Sequence, residues 1–112
     1  LTDSGAAIAL HGWSDQSFRV PVDATPTTIS VKCSFDLSYG ITNPPQLVLD
    51  ANAEIGVVAQ TSTALGVAGS GTFETLTLSP FVPTRKGWVV IRVISRADLP
   101  YGKAVFDTVS VT

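Results

Sequence analysis

His11 and Cys33 are the only histidine and cysteine in the chain, and they limit the chemistry it can perform. One nitrogen and one sulfur ligand are too few for a zinc site, which takes four ligands. A Ser-His-Asp set needs a nucleophile exposed on a sharp turn, and no Gly-x-Ser-x-Gly stretch is present; the acidic residues nearest His11 are Asp3 and Asp15. Cys33 falls among the apolar positions of an alternating stretch, where a thiol is packed and inert rather than nucleophilic. A carboxylate pair for glycoside hydrolysis would have to come from Asp36, Asp50, Glu74 or Asp107, most of which alternate toward solvent. The run 66–71 (GVAGSG) lacks the Lys-Ser/Thr of a phosphate loop and opens no helical pattern. The chain reads as a non-enzyme.

Binding by contact is better supplied. Aromatic faces with a few planar hydrogen-bonding groups suit a sugar ring or a protein partner. Trp13, Tyr39, Trp88 and Tyr101 are available, with Phe73 and Phe106 if they are exposed. In the stretch 87–96 (GWVVIRVISR), Trp88, Val90, Arg92 and Ile94 share one parity and Val89, Ile91 and Val93 the other. With the second set in the core, Trp88, Arg92 and Phe106 are expected to line the opposite face as an aromatic–guanidinium surface. Trp13 follows His11-Gly12 and is expected on an exposed loop.

The elements that position these residues are strands. Two-residue alternation recurs along the chain with no sustained helical period. The cleanest case is 28–39, where Ile29, Val31, Cys33, Phe35, Leu37 and Tyr39 alternate with Thr, Ser, Lys and Asp. That is the pattern of a half-buried antiparallel strand. Further strands are expected at 6–10, 17–22, 46–51, 57–63, 72–79, 87–96 and 104–112, separated by Gly, Pro, Asn and Asp clusters. The last two, joined by ADLPYGK, read as a closing hairpin, and 64–71 as the most flexible stretch. Eight strands at this spacing indicate an all-β antiparallel sandwich or jelly roll, in one domain spanning 1–112.

Composition narrows the partners. Charged residues make up 14% of the chain, against about 25% in an average domain. A surface so thinly charged is expected to lie partly against a partner. A net charge of −2 excludes a nucleic-acid module that works by phosphate neutralisation. No apolar run is long enough to span a membrane as a helix, and none reads as a signal peptide. The chain begins at Leu1, as a processed chain, an excised domain or part of a longer one would.

Three stretches carry a resemblance. SGAAIALHGW near the start looks like the early strand of carbohydrate-binding-module jelly rolls of the galactose-binding-like kind. TFETLTLSPFVPTRKGWVVIRV is similar to their mid-to-late strand pair, and AVFDTVSVT resembles their closing strand. In this order the motifs span roughly residues 4–112. The resemblance implies a jelly roll, and a use either as a glycan-binding module beside a hydrolase or as a decoration or cement protein on a phage capsid; fold alone does not choose between them. Relatives often hold a structural calcium through a closing acidic pair and an opening segment. Here the pair is reduced to Asp107 followed by Thr108, and the opening segment is absent. Asp107 is the weak calcium candidate that remains, and one carboxylate does not make a site for a cation needing six to eight oxygens.

The expectation is a non-catalytic attachment protein without a cofactor, oligomeric in context, contacting protein subunits of a larger assembly at a virion surface through Trp13, Trp88, Arg92, Phe106 and Tyr101. The alternative is a glycan-binding module of a secreted or cell-surface protein.

Overall fold

The computed structural model describes residues 7–35, 43–66 and 71–112. Eight strands form: β1 (Ile8–His11), β2 (Trp13–Val22), β3 (Ile29–Phe35), β4 (Gln46–Leu49), β5 (Gln60–Thr63), β6 (Glu74–Thr77), β7 (Gly87–Arg96) and β8 (Lys103–Val111). They make two four-stranded antiparallel sheets, ordered β1-β8-β3-β6 and β2-β7-β4-β5. Only β4 and β5 are consecutive strands paired in one sheet; every other connection either passes from one sheet to the other or, as at β1–β2, turns a corner between them. This is the jelly-roll arrangement of two interleaved Greek keys.

The alternation seen in the sequence builds the core. Val89, Ile91 and Val93 of β7 face Leu47 and Leu49 of β4 within one sheet, and Ile29, Val31, Cys33, Phe35 and Phe106 come from the other, all 2% exposed or less. Sandwich cores form in this way, from the inward positions of both sheets interdigitating. Leu76 and Leu78 close one flank, as their shared parity required. Residues 36–39 of the expected third strand, Tyr39 among them, lie outside the described residues, as do 67–70 of the glycine-rich run.

Two expectations need correction. The stretches 87–96 and 103–111 are not a hairpin. β7 pairs with β2 and β4, β8 pairs with β1 and β3, and residues 97–102 carry the chain across the sandwich. Trp13 is not in a loop but is the first residue of β2. The corner between β1 and β2 is Gly12 alone, at φ +60°, a left-handed conformation that a Cβ disfavours. Its N–H donates to Gly102 O at 2.9 Å, while its carbonyl accepts from the buried Ser95 hydroxyl at 2.8 Å and from Ala97 N–H at 3.3 Å. Both crossings are thus stitched together at one end of the molecule.

Cys33 lies in the core at 0% exposure, beside Glu74 in the β3–β6 register. Burial, and secondarily the charge of Glu74, push its thiol from an ordinary 9.0 up to about 12. The folded chain then keeps a proton that the unfolded chain gives up above pH 9, so this group's stabilisation is complete below pH 9 and declines as pH rises toward about 12. Cys33→Ala is expected to lose that part of the alkaline slope in denaturant titrations. The native thiol is expected to resist thiol reagents at pH 8 until the protein unfolds; rapid labelling of the native chain would contradict this placement.

Candidate binding face

The outward side of the sheet β2-β7-β4-β5 carries most of the residues singled out from the sequence. Register places them in rows across the strands. Pro21 lies beside Trp88, Arg19 beside Val90, and Ser17 beside Arg92, which has Val48 on its other side. Asp15 lies beside Ile94, which has Gln46 on its other side, and Trp13 beside Arg96. Trp88 is 49% exposed and Trp13 64%. Between them Val48, Val90, Arg92 and Ile94 are all half-buried, so the middle of the face is flatter and drier than its ends. Trp13 stands eight positions along β2 from Pro21, the partner of Trp88, which sets the two indoles about 27 Å apart along the sheet at ~3.4 Å per residue.

Arg92 occupies the centre. Its Nε donates to Asp50 Oδ1 at 3.0 Å, its Nη2 lies 3.0 Å from the same oxygen, and its Nη1 lies 3.7 Å from Asp15 Oδ2. Asp50 is itself held just beyond β4 by its N–H donating to Val90 O at 2.9 Å. All three side chains remain a third or more exposed. Such a pair contributes only about 0–1 kcal/mol to folding. Its consequence is electrostatic: a guanidinium is held at the centre of the face with its charge matched by two carboxylates. Arg96 is held similarly at the Trp13 end, where its Nε donates to Pro44 O at 2.8 Å.

Two hollows flank this centre. One, of about 220 Å³, is lined by Trp13, Ser14, Asp15 and Ile94. The other, of about 400 Å³, lies at the Trp88 end between the start of β7, the turn after β4 and the loop before β7. There Arg19 stacks on Trp88, its Cζ 4.6 Å from the ring centroid. Asn52 donates from Nδ2 to Trp88 O at 2.7 Å and caps the 3-10 turn Ala53–Ile55 by accepting from Glu54 N–H at 3.2 Å. That turn ends at Gly56, φ +70°, where an added Cβ would stand 2.9 Å from Thr84 Cγ2.

Phe106 does not belong to this face. It is fully buried, with inward parity on β8 opposite Ile8 and Cys33. Treating β7 and β8 as one hairpin put its ring on the wrong side; β8 is in the other sheet. Tyr101 is 60% exposed on the 97–102 connection, near the Gly12 corner and off the sheet face. Asp107 lies beside Lys32 in register on the outward side of the other sheet. The next residue, Thr108, is a one-residue bulge at φ +51°, with its hydroxyl 3.3 Å from Asp107 Oδ1. Among the described residues, no three His, Cys, Asp or Glu side chains cluster as metal ligands. The Ser14 hydroxyl donates to the His11 carbonyl at 2.8 Å. Glu74 faces inward rather than to solvent, and its carboxylate accepts from Leu65 N–H at 2.9 Å and Gly66 N–H at 3.2 Å.

Asp15, Arg19, Asp50 and Asn52 were not singled out as binding residues from the sequence. Arg19 alternates with Phe18 and Val20, which marks it as outward, but its ring partner follows only from the β2–β7 register. The Asp50–Arg92 contact joins residues far apart in the chain and has no local signal. The chain matches none of the protein-family models it was compared with, and no curated protein matches it significantly.

Proposed function

We propose that this domain is a non-catalytic attachment module that docks on a protein subunit of a larger assembly through the outer face of β2-β7-β4-β5. The observation that carries the reading is the make-up of that face. Two exposed tryptophans bracket a half-buried centre whose one arginine is neutralised by Asp15 and Asp50. Its outward strand positions hold no lysine and no glutamate. Protein interfaces are enriched in Trp and Arg and depleted of Lys and Glu in this way, with hot spots in desolvated surroundings. The low overall charge suits a subunit packed among neighbours, and the jelly-roll family that the three strand motifs resemble includes capsid decoration proteins, so a virion surface is the assembly we favour. A glycan-binding role is the second reading, favoured by the hollow beside Trp13, where Ser14 and Asp15 flank an exposed indole.

The test is a photo-crosslinking residue placed singly at Ser17 or Val48 on this face, and at Lys32 or Thr75 on the outside of the other sheet. The chain is then assembled with the particle proteins of its source. The attachment reading expects protein adducts from Ser17 and Val48 only. Adducts confined to Lys32 and Thr75, or none from any position, would overturn it.

A further inference from the structure

We propose that β2 is a self-pairing edge: two copies of this chain join β2 to β2, antiparallel, about a two-fold axis at Ser17. The proposal goes beyond the attachment reading and does not depend on it. Among the described residues the two sheets end in four edge strands. Three of them, β1, β5 and β6, are four residues long, the short kind with which proteins blunt an edge. β2 runs for ten residues, and among the described residues no strand pairs with its other side. The direction of its backbone groups follows from two hydrogen bonds. In an antiparallel pair, opposite residues alternate between exchanging both bonds and exchanging none. Ala97 N–H donates to Gly12 O one step beyond the Trp13–Arg96 pair, and Asp50 N–H donates to Val90 O across β7. Even-numbered residues of β2 therefore bond to β7. Trp13, Asp15, Ser17 and Arg19 turn their N–H and C=O groups to the open edge, and Pro21 turns its C=O there.

Two copies of this edge complement each other in one register. With Ser17 opposite Ser17 of a second copy, Asp15 falls opposite Arg19, Gln16 opposite Phe18 and Trp13 opposite Pro21. Each of these contacts occurs twice, as two-fold symmetry requires. Opposite charges then face each other across the ladder, whereas a register that set Asp15 or Arg19 opposite itself would repel. Both charges are exposed on the outward side, Arg19 over the Trp88 ring and Asp15 3.7 Å from Arg92. Pro21 has no N–H to give, and it falls at the end of the paired stretch, where a ladder tolerates it. Phe18, only half-buried at the margin of the core, gains Gln16 of the second copy as a neighbour. The two-fold axis keeps both outward faces on the same side. The result is one continuous eight-stranded sheet whose outer surface stays open for attachment.

The test uses the chain alone, so its outcome is separate from that of the attachment reading. Sedimentation equilibrium is expected to show a reversible monomer–dimer step between roughly 10 and 500 µM, the weak range of a small contact. Asp15→Arg or Arg19→Asp alone sets like charges opposite each other twice and is expected to weaken the dimer roughly tenfold or more. The double variant restores opposite signs in the same register and is expected to return to within about threefold of the native chain. Thermal midpoints should stay close to the native value, because both residues are exposed. Independently, Ser17→Cys is expected to oxidise to a disulfide-linked dimer. Opposite Cα atoms about 5.5 Å apart suit that bond, and the native Cys33 is buried. Thr61→Cys, exposed on the β5 edge, is the control and should stay monomeric. A monomer up to about 1 mM, a double variant no tighter than the singles, or equal linking at Thr61 would overturn the proposal.

Discussion

Phe106→Ala is expected to destabilise the domain by about 3–5 kcal/mol, the usual cost of removing a buried phenylalanine. Phe106 is wholly buried on a central strand of its sheet, with β1 on one side and β3 on the other. Truncation leaves a void among side chains that two sheets hold in place, so relaxation recovers little of the loss. Against a total stability of 5–15 kcal/mol for domains in general, that is a large share. In a chain of this size it corresponds to a fall in thermal midpoint of at least roughly 12 °C. Phe73→Ala, at 42% exposure, is the control and should cost under about 1 kcal/mol. Denaturant titration of the two variants separates these outcomes. Equal, small losses would mean that Phe106 is on a surface after all.

The second large effect is on binding. Trp13→Ala and Trp88→Ala are each expected to weaken attachment to the partner assembly by about 2 kcal/mol, roughly 30-fold, as buried interface tryptophans do. The two sites are far enough apart along the sheet for the losses to add, giving about a thousandfold in the double variant. Stability should change little at Trp13. At Trp88 the loss of the Arg19 contact adds on the order of 0.5–1 kcal/mol. Co-sedimentation with the assembly over a range of concentrations measures the affinity, and the same samples give the thermal midpoints. An unfolded variant is thereby distinguished from a folded one that no longer binds.

How far the sequence carried depends on which interactions are local. The parity of 87–96 was enough to put Val89, Ile91 and Val93 inside and Trp88 and Arg92 outside, because strand periodicity is a property of a strand alone. The same periodicity says nothing about which strand lies alongside. A six-residue connection from Arg96 to Lys103 serves a hairpin or a crossing between sheets equally well, and β7 and β8 proved to be in different sheets. That one fact moved Phe106 from the surface to the core. It also explains why Asp50 escaped notice as a partner of Arg92. Their contact depends on β4 pairing with β7 in a register that no short stretch encodes. The hollow at the Trp88 end is a harder case still, since Arg19, Asn52 and the stretch 85–88 come from three separate segments that meet only when the jelly roll closes.

Trp13 shows the opposite situation. Its exposure was legible from its position after His11-Gly12, although the reason differed. A left-handed glycine turns the chain from one sheet into the other within a single residue, so the indole starts a ten-residue strand rather than ending a loop. An indole on a strand is more firmly placed than one on a loop, as an anchor residue must be.

The most direct measurement is a structure of this chain bound to its assembly. More than about 1,000 Å² of total surface should be buried in the complex. Trp13, Arg92, Ile94 and Trp88 should be covered, and Lys32 and Thr75, on the other sheet, left in solvent. Partner density on the Lys32 side, with Trp13 and Trp88 open to water, would contradict it.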